Sequence, residues 1–238
     1  MKNTITILSL ALLGALNASA HEVAAYEELL KKYVKPTGVE YKQWHSNSAD
    51  KAALDKILSD WSKVKTEDLS KAEKAAFRIN LYNAVMVDVV LDRYPLDSVT
   101  KIGKAFSIFD DAIIATPSGK ISLNQLEKKQ LLKDFPDGRL HFAVNCASVS
   151  CPPLRAEAFV ASKLEAQLDE QAKLFANSKH AVQVNGSTAK YSELFNWYKG
   201  DFKTDNPAIY LNKFRTEKLK TSLKVSWIKY DWGLNKAK

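Results

Sequence analysis

The chain has 238 residues, a formal net charge of +8, 46% hydrophobic residues and 10% aromatic residues. These values are typical of globular proteins and exclude the disordered and fibrous classes. The lysines are spread along the whole chain, whereas nucleic-acid binding usually requires a clustered basic face, so we predict no nucleic-acid partner.

The N-terminus has the pattern of a secretory signal peptide. Lys2 precedes an apolar stretch over residues 5–16, which is followed by a small-x-small cleavage site at 18–20. The apolar stretch is too short to span a bilayer, and no later segment is long enough, so we predict no transmembrane segment. Cleavage after Ala20 leaves residues 21–238, enough for a single domain. The sequence therefore predicts a periplasmic or secreted protein.

Apolar residues at helical spacing recur along the chain. The longest pattern covers residues 69–94, where Ser70 and Glu73 form a capping box and Pro95 ends the helix. Two further capping boxes are predicted at Ser122 with Gln125 and at Ser162 with Glu165. The other predicted helices cover residues 24–34, 51–64, 123–135, 162–177 and a short stretch at 193–198.

Alternating apolar residues bounded by turn residues predict strands. Residues 111–117 and 120–123 form a first hairpin, and residues 181–192 form a second that turns at an Asn-Gly pair. A β-like run at 139–145 leads into the cysteines, and 224–232 predicts a last strand. Because helices outnumber strands and adjacent strands pair as hairpins, the predicted fold class is α+β, a helix-rich single domain around a small, mostly antiparallel sheet.

Both cysteines lie in the segment HFAVNCASVSCPPLR, residues 141–155. On a straight strand His141 and Cys146 would point apart. The two prolines after Cys151 force the chain to change direction, which can return Cys151 to either residue. One interpretation is a structural Cys146–Cys151 disulfide, which an oxidising compartment favours. It requires a tight turn, since an extended chain would separate the two Cα atoms by about 17 Å.

The second interpretation is a thiolate nucleophile, Cys146 or Cys151, with His141 as its base. The candidates to orient that base are Asn145, Asn80 and Asn83. Asn80 and Asn83 share one face of an apolar helix, where bracing of neighbouring loops is the alternative role. A redox role for the Cys-x4-Cys pair is a third interpretation, although its spacing differs from Cys-x-x-Cys.

We predict neither a metal site nor a cofactor. The four histidines show no metal-ligand spacing, and one Cys-x4-Cys pair without a second pair is weak support for zinc. His21 would become the N-terminus after cleavage, where an amine and an imidazole together can chelate copper. A terminal histidine also arises by chance, which is the simpler explanation.

Four segments resemble the DUF547 family in order and spacing: residues 77–84, 122–127, 141–155 and 195–202. The resemblance covers about 70–203, within a single DUF547-like domain at 21–238. It implies an exported bacterial member of a family of undefined function. It further implies a shared site around Asn80, Asn83, His141, Cys146 and Cys151.

Two positions depart from the family pattern. Arg78 stands where the family usually has Trp, which we interpret as a minor packing change. Lys128 stands where the family commonly has His. If that histidine is the family's base, His141 is the nearby candidate that remains in this chain.

The leading hypothesis is a cysteine-dependent amide hydrolase or acyl transferase. Cys146 or Cys151 would be the nucleophile, His141 the base, and Asn80 or Asn83 the orienting group or oxyanion donor. Its partner would be a small-molecule or peptide ligand of the cell envelope. The alternative is a non-catalytic envelope binding or scaffold protein with a structural Cys146–Cys151 disulfide. The sequence predicts no oligomeric state.

Overall fold

The computed structural model describes residues 23–104 and 106–238. The predicted signal peptide at 1–20 and the possible N-terminal His21 lie outside the described residues. Among the described residues, none of the helices combines the length and the apolar character needed to cross a bilayer.

Helices form most of the regular structure. In chain order they are α1 (23–33), α2 (Tyr41–Ser46), α3 (Ser48–Trp61), α4 (Lys71–Arg93), α5 (123–134), α6 (Leu164–Ala176), α7 (Leu194–Trp197), α8 (Lys199–Phe202) and α9 (Pro207–Leu211). Short 3-10 helices lie at Val99–Lys101, Ser107–Phe109, Gly138–Phe142 and Ala161–Lys163.

The strands form three small sheets rather than one. They are β1 (Val34–Lys35), β2 (Gly38–Val39), β3 (Ile114–Thr116), β4 (Gly119–Ile121), β5 (Val182–Asn185), β6 (Thr188–Ser192) and β7 (Lys224–Ile228). The first two sheets are the antiparallel hairpins β1–β2 and β3–β4. In the third, β5 pairs antiparallel with β6, and β7 pairs parallel with β6 after a crossover through α7, α8 and α9. The α+β fold class is confirmed.

Helix α4 is the central element of the larger core. Its start has the predicted capping box, in which Ser70 Oγ accepts from the Glu73 N–H and the Glu73 carboxylate accepts from the Ser70 N–H. Residues from Ala75 to Leu91 are mostly buried, as an apolar pattern around the whole helix predicts. Arg78, the departure from the family pattern, is buried and binds Asp134 at 2.6 Å and the Gln130 carbonyl at 3.0 Å, so it ties α4 to α5.

Helix α5 begins at the predicted capping box of Ser122 and Gln125, whose backbone and side-chain groups bond reciprocally at 2.8 and 3.1 Å. Its segment Gln125–Leu131 is π-helical. Single π segments of this kind occur frequently at functional sites, because the extra residue per turn re-aims a side chain. The π segment carries the buried carboxylate of Glu127.

Two local predictions are wrong. The predicted capping box of Ser162 and Glu165 is absent, because the 3-10 helix Ala161–Lys163 precedes α6 and Glu165 instead binds Arg139 at 2.6 Å. The β-like run at 139–145 is not a strand. Its first residues form the 3-10 helix Gly138–Phe142, and no strand of the described part pairs with it.

Tight packing explains the course of this segment. A Cβ added to Gly138 would lie 2.9 Å from both the Phe202 ring and the Tyr210 hydroxyl, so the chain approaches these rings as only glycine allows. Phe142 then stacks on Phe175 in a second core cluster beneath the third sheet. The alternating apolar pattern of residues 139–145 therefore results from burial between two core clusters and does not indicate a face of a sheet.

Asp88 on α4 is a buried acid whose ionisation is unfavourable. Its Oδ1 has no hydrogen-bond partner among the described residues. Burial, together with the negative charges of Asp92 and Asp55, raises the pKa of Asp88 from 3.8 to about 7. The folded state therefore binds this proton more tightly than the unfolded state, and stability is lost as the pH rises from about 4 through 7.

We expect Asp88→Asn to stabilise the protein at pH 8 by about 1–3 kcal/mol and to have little effect near pH 4. Urea unfolding at the two pH values measures both effects. Asp97→Asn is the control, because the Asp97 carboxylate is exposed and contacts only Lys101 at the surface. An equal effect of Asp88→Asn at both pH values would contradict the assignment.

Candidate functional site

The two cysteines lie on a loop that follows the 3-10 helix Gly138–Phe142. Both are free thiols, Cys146 partly exposed and Cys151 buried. Cys151 Sγ accepts the Cys146 N–H at 3.0 Å and lies 3.9 Å from the Val144 carbonyl. The sulfur of Cys151 is thus held by backbone groups, and the structure does not contain the Cys146–Cys151 disulfide that the scaffold alternative requires.

Buried amides hold the cysteine loop in place. Asn83 on α4 donates to the Ala143 carbonyl at 3.0 Å and accepts the Asn145 N–H at 2.8 Å. Asn145 in turn donates to the Pro152 carbonyl at 2.7 Å and accepts the Ala147 N–H at 2.9 Å. These side chains supply the hydrogen bonds that a neighbouring strand would supply, and the loop is fixed on both sides of Cys146.

The residue after Cys146 has an uncommon backbone conformation. Ala147 has φ +59°, in the left-handed region that favours glycine. Its N–H is bound to Asn145, and its carbonyl accepts the Asn235 N–H at 3.1 Å. Such strain persists where the surroundings fix it and occurs frequently at functional sites. The turn directs the Cys146 side chain into a cavity.

The Cys146 thiol is surrounded by groups that stabilise its anion. Its Sγ lies 2.9 Å from Ser148 Oγ and 3.3 Å from the Tyr230 hydroxyl. Burial by itself raises the pKa of the Cys146 thiol, but hydrogen bonds from Cys151, Ser148 and Tyr230 outweigh burial and lower that pKa from 9.0 to about 7. Burial raises the pKa of Tyr230 well above its ordinary value, so its hydroxyl stays protonated and donates.

Cys151 has the opposite character. Burial, and next the adjacent Cys146 sulfur, raise the pKa of Cys151 well above its ordinary value. The two thiols are therefore unequal, with Cys146 as the anion and Cys151 as a neutral donor. Sequence reasoning left open which cysteine is the nucleophile, and this inequality favours Cys146.

His141 lies buried in the wall of the same cavity, between two carboxylates. Its Nε2 is 2.8 Å from Asp201 Oδ2 and its Nδ1 is 3.4 Å from Glu127 Oε1. Burial alone would lower the pKa of His141, but the bonds to Asp201 and Glu127 outweigh it and raise the pKa above 6.5. The ring stacks on Tyr198 with centroids 4.0 Å apart. The two carboxylates thus fix the orientation of the His141 ring and favour its protonated form.

The groups that orient His141 differ from those expected. Asn80 binds the backbone of Phe159 at 2.8 and 2.9 Å, and Asn83 binds the cysteine loop, so both amides brace loops. Sequence reasoning missed the carboxylates of Glu127 and Asp201. Both stand in motifs that carry the family resemblance, 122–127 and 195–202, and an acid at a motif position is the signal that was available.

A cavity of about 360 Å³ joins these groups. Cys146, Cys151, His141 and Glu127 all line it, as does Lys128, whose Nζ lies 5.9 Å from the centre of the Tyr198 ring. Besides burial, the charges of Glu127, the two cysteines and Asp201 raise the pKa of Tyr198. Tyr198 therefore lies close enough to the two thiols and the two carboxylates to interact electrostatically with all four groups. Neither Asn80 nor Asn83 lines this cavity.

The anion at Cys146 leads to a testable consequence for Ser148. We expect Ser148→Ala to raise the pKa of Cys146 by about one unit, because it removes the shortest hydrogen bond to the sulfur. The measurement is the pH dependence of alkylation by iodoacetamide. Ser150→Ala is the matched control, since Ser150 Oγ accepts the Asp231 N–H and has no contact with either thiol. An unchanged midpoint in Ser148→Ala would contradict the role of Ser148.

Within the part of the chain that the structure describes, no three His, Cys, Asp or Glu side chains are placed to hold a metal ion. The searches of curated proteins and of solved structures found no match for the chain.

The family described as "Protein of unknown function, DUF547" matches residues 66–176. This range includes Glu127, His141 and both cysteines, whereas Asp201 and Tyr230 lie after it. Residues 66–176 therefore match the DUF547 family, which confirms the resemblance for the motifs at 77–84, 122–127 and 141–155.

Proposed function

We propose that this protein is a cysteine-dependent amide hydrolase or acyl transferase with Cys146 as its nucleophile. One observation carries the proposal: the partly exposed Cys146 sulfur lies in a cavity where Ser148, Tyr230 and Cys151 together lower its pKa to about 7. A thiolate that is accessible near neutral pH is the reactive form of cysteine. Structural cysteines are usually buried and neutral, as Cys151 is.

Activation of this thiol requires no separate base. With a pKa of about 7, roughly half of the Cys146 thiols are ionised at neutral pH. Its two carboxylate contacts favour the protonated form of His141, which suits the opposite task, donation of a proton to the leaving group. Glu127 and Asp201 stabilise its charge, and Glu127 also lines the cavity. The role of His141 thus changes from the expected base to an acid.

The reaction has two steps. The Cys146 sulfur attacks a carbonyl carbon and the C–S bond forms. The bond to an amine or alcohol then breaks as that group takes the Nδ1 proton of His141, whose 3.4 Å contact with Glu127 is more easily displaced than the 2.8 Å bond of Nε2 to Asp201. The thioester is then attacked by water in a hydrolase or by an acceptor amine or alcohol in a transferase. His141 recovers its proton from that attacking group, and the sulfur leaves as the thiolate.

Acylation by p-nitrophenyl acetate tests the proposal. We expect one acetyl group on Cys146, located by peptide mass mapping, with release of an equal amount of p-nitrophenolate. The rate is expected to rise with pH around a midpoint near 7, the pKa of Cys146. Acetylation confined to lysines, or a midpoint near 9, would contradict the proposal.

We propose in addition that the reaction takes place in the periplasm or outside the cell, on a peptide or small amide of the envelope. The signal-peptide pattern of residues 1–20 supports this location. The intact mass of the protein recovered from the producing cells tests it. We expect a chain that begins at His21, and a mass that retains the first twenty residues would contradict export by this route.

A further inference from the structure

Five aromatic rings that pack on one another line the cavity. This aromatic wall consists of Phe106, Phe109, Trp197, Tyr230 and Trp232, all of which line the cavity. Trp232 is its centre: its ring centroid lies 4.4 Å from that of Tyr230, 4.8 Å from that of Phe106 and 5.9 Å from that of Trp197. The five rings come from three segments, 106–109, Trp197 and 230–232, that meet only in the folded chain.

Two of these rings, those of Trp197 and Phe106, are exposed to solvent. Trp197 is 46% exposed and Phe106 is 43% exposed, among the few large apolar side chains of the described residues that face solvent. Contiguous exposed apolar surface is rare on folded proteins and frequently marks a binding site. The outer faces of these two rings are therefore surface that a ligand can cover.

Tyr230 connects the aromatic wall to the nucleophile. Its hydroxyl lies 3.3 Å from Cys146 Sγ, and its ring packs against Trp197 with centroids 4.9 Å apart. One side chain, that of Tyr230, therefore contacts both the nucleophile and the aromatic wall. A substituent attached to the carbonyl that Cys146 attacks can thus reach the wall within the same cavity.

Two carboxylates that line the cavity already have partners. Asp110 accepts from Asn124 Nδ2 at 2.7 Å, and Glu127 contacts His141. A sugar stacked on the wall would find among the side chains of the wall only the Tyr230 hydroxyl and two indole N–H groups for its own hydroxyl groups. A neutral aromatic ring needs only ring faces, which the wall offers in offset and tilted orientations.

We propose that the substrate's acyl or amide group carries a neutral aromatic ring that stacks on Trp197 and Phe106 while Cys146 attacks the adjacent carbonyl. This assignment of the substrate class rests on the proposed function of Cys146. The ring contributes binding, and the thiolate contributes the chemistry. Selectivity for ring-bearing substrates is thus a property of the aromatic wall and not of the nucleophile.

Alkylation by two reagents that differ only in a ring tests this inference. Iodoacetamide and N-phenyl iodoacetamide both form a C–S bond to Cys146 with loss of iodide, and only the second carries a phenyl group. With each rate divided by that of glutathione, we expect the phenyl reagent to be favoured at least about tenfold, as one well-packed ring contact permits. Trp197→Ala and Phe106→Leu are expected to remove this preference, measured as the ratio of the two normalised rates in each variant.

Ile209→Ala is the control variant, because Ile209 is an exposed apolar residue that does not line this cavity. It is expected to keep the preference. If the wild-type protein shows no preference but Cys146 still reacts rapidly with iodoacetamide, the aromatic inference is overturned and the proposed function stands. If Cys146 reacts with neither reagent faster than glutathione at neutral pH, the proposed function itself is overturned, and the inference with it.

Discussion

Replacement of Cys146 with Ser is expected to abolish formation of the acyl-enzyme, slowing p-nitrophenolate release by about 1,000-fold or more. The physical reason is the absence of a base in contact with this position. The Cys146 sulfur is surrounded by hydroxyl and thiol donors that stabilise an existing anion. The two ring nitrogens of His141 contact Asp201 and Glu127 rather than the sulfur. A serine hydroxyl in the same place would stay protonated and unreactive.

Cys151→Ser is the matched control for that experiment. It replaces the neighbouring thiol, which is buried and holds its proton, with a residue of similar size. We expect it to retain acylation at Cys146 with a small upward shift of the midpoint, because one of the donors to the sulfur changes. Loss of acylation in Cys151→Ser with full activity in Cys146→Ser would exchange the roles of the two cysteines.

The second large effect is expected at Asn83. Asn83→Leu should lower the free energy of unfolding by about 3–4 kcal/mol, because it leaves the Ala143 carbonyl and the Asn145 N–H buried without partners. Urea denaturation measures this loss. The same variant should also disturb the loop that fixes Cys146, so that the iodoacetamide midpoint moves from about 7 toward that of an ordinary thiol, near 9.

Asn80→Leu is the control that distinguishes a general loss of stability from a specific effect on the cysteine loop. Asn80 lies one helical turn before Asn83, is equally buried, and makes the same pair of backbone hydrogen bonds, but to Phe159. We expect a similar loss of stability with an unchanged midpoint for Cys146. Equal shifts of the midpoint in both variants would show that Asn83 has no specific effect on the cysteine loop.

Local sequence signals determined much of the secondary structure. The capping boxes at Ser70 and Ser122 and the hairpin at 181–192 were predicted and are present, although the hairpin turns at Gly186–Ser187, one residue after the predicted Asn-Gly pair. Each depends on contacts between residues three or fewer positions apart, so the chain specifies them before any distant segment arrives. The same holds for the buried character of α4, which its apolar composition alone requires.

The failures are positions where a distant partner decided the conformation. Residues 139–145 alternate as a strand does, yet no strand lies beside them; Asn83 provides their hydrogen bonds from α4. Likewise Glu165 was expected to cap its own helix and instead binds Arg139, part of the segment that leads into the site. A charged or amide side chain binds the partner that gives the lowest free energy. When that partner is distant in sequence, it is known only from the folded structure.

The sequence by itself determined which segment carries the candidate chemistry, since both cysteines and His141 lie within eleven residues of one another. Only the tertiary structure decided how readily each of these three side chains ionises. Ser148 and Tyr230 lower the pKa of one thiol, burial raises the pKa of the other, and Asp201 and Glu127 raise the pKa of His141. The physical reason is that a pKa depends on burial and on charges within a few ångströms, and Tyr230 comes from 84 residues beyond Cys146.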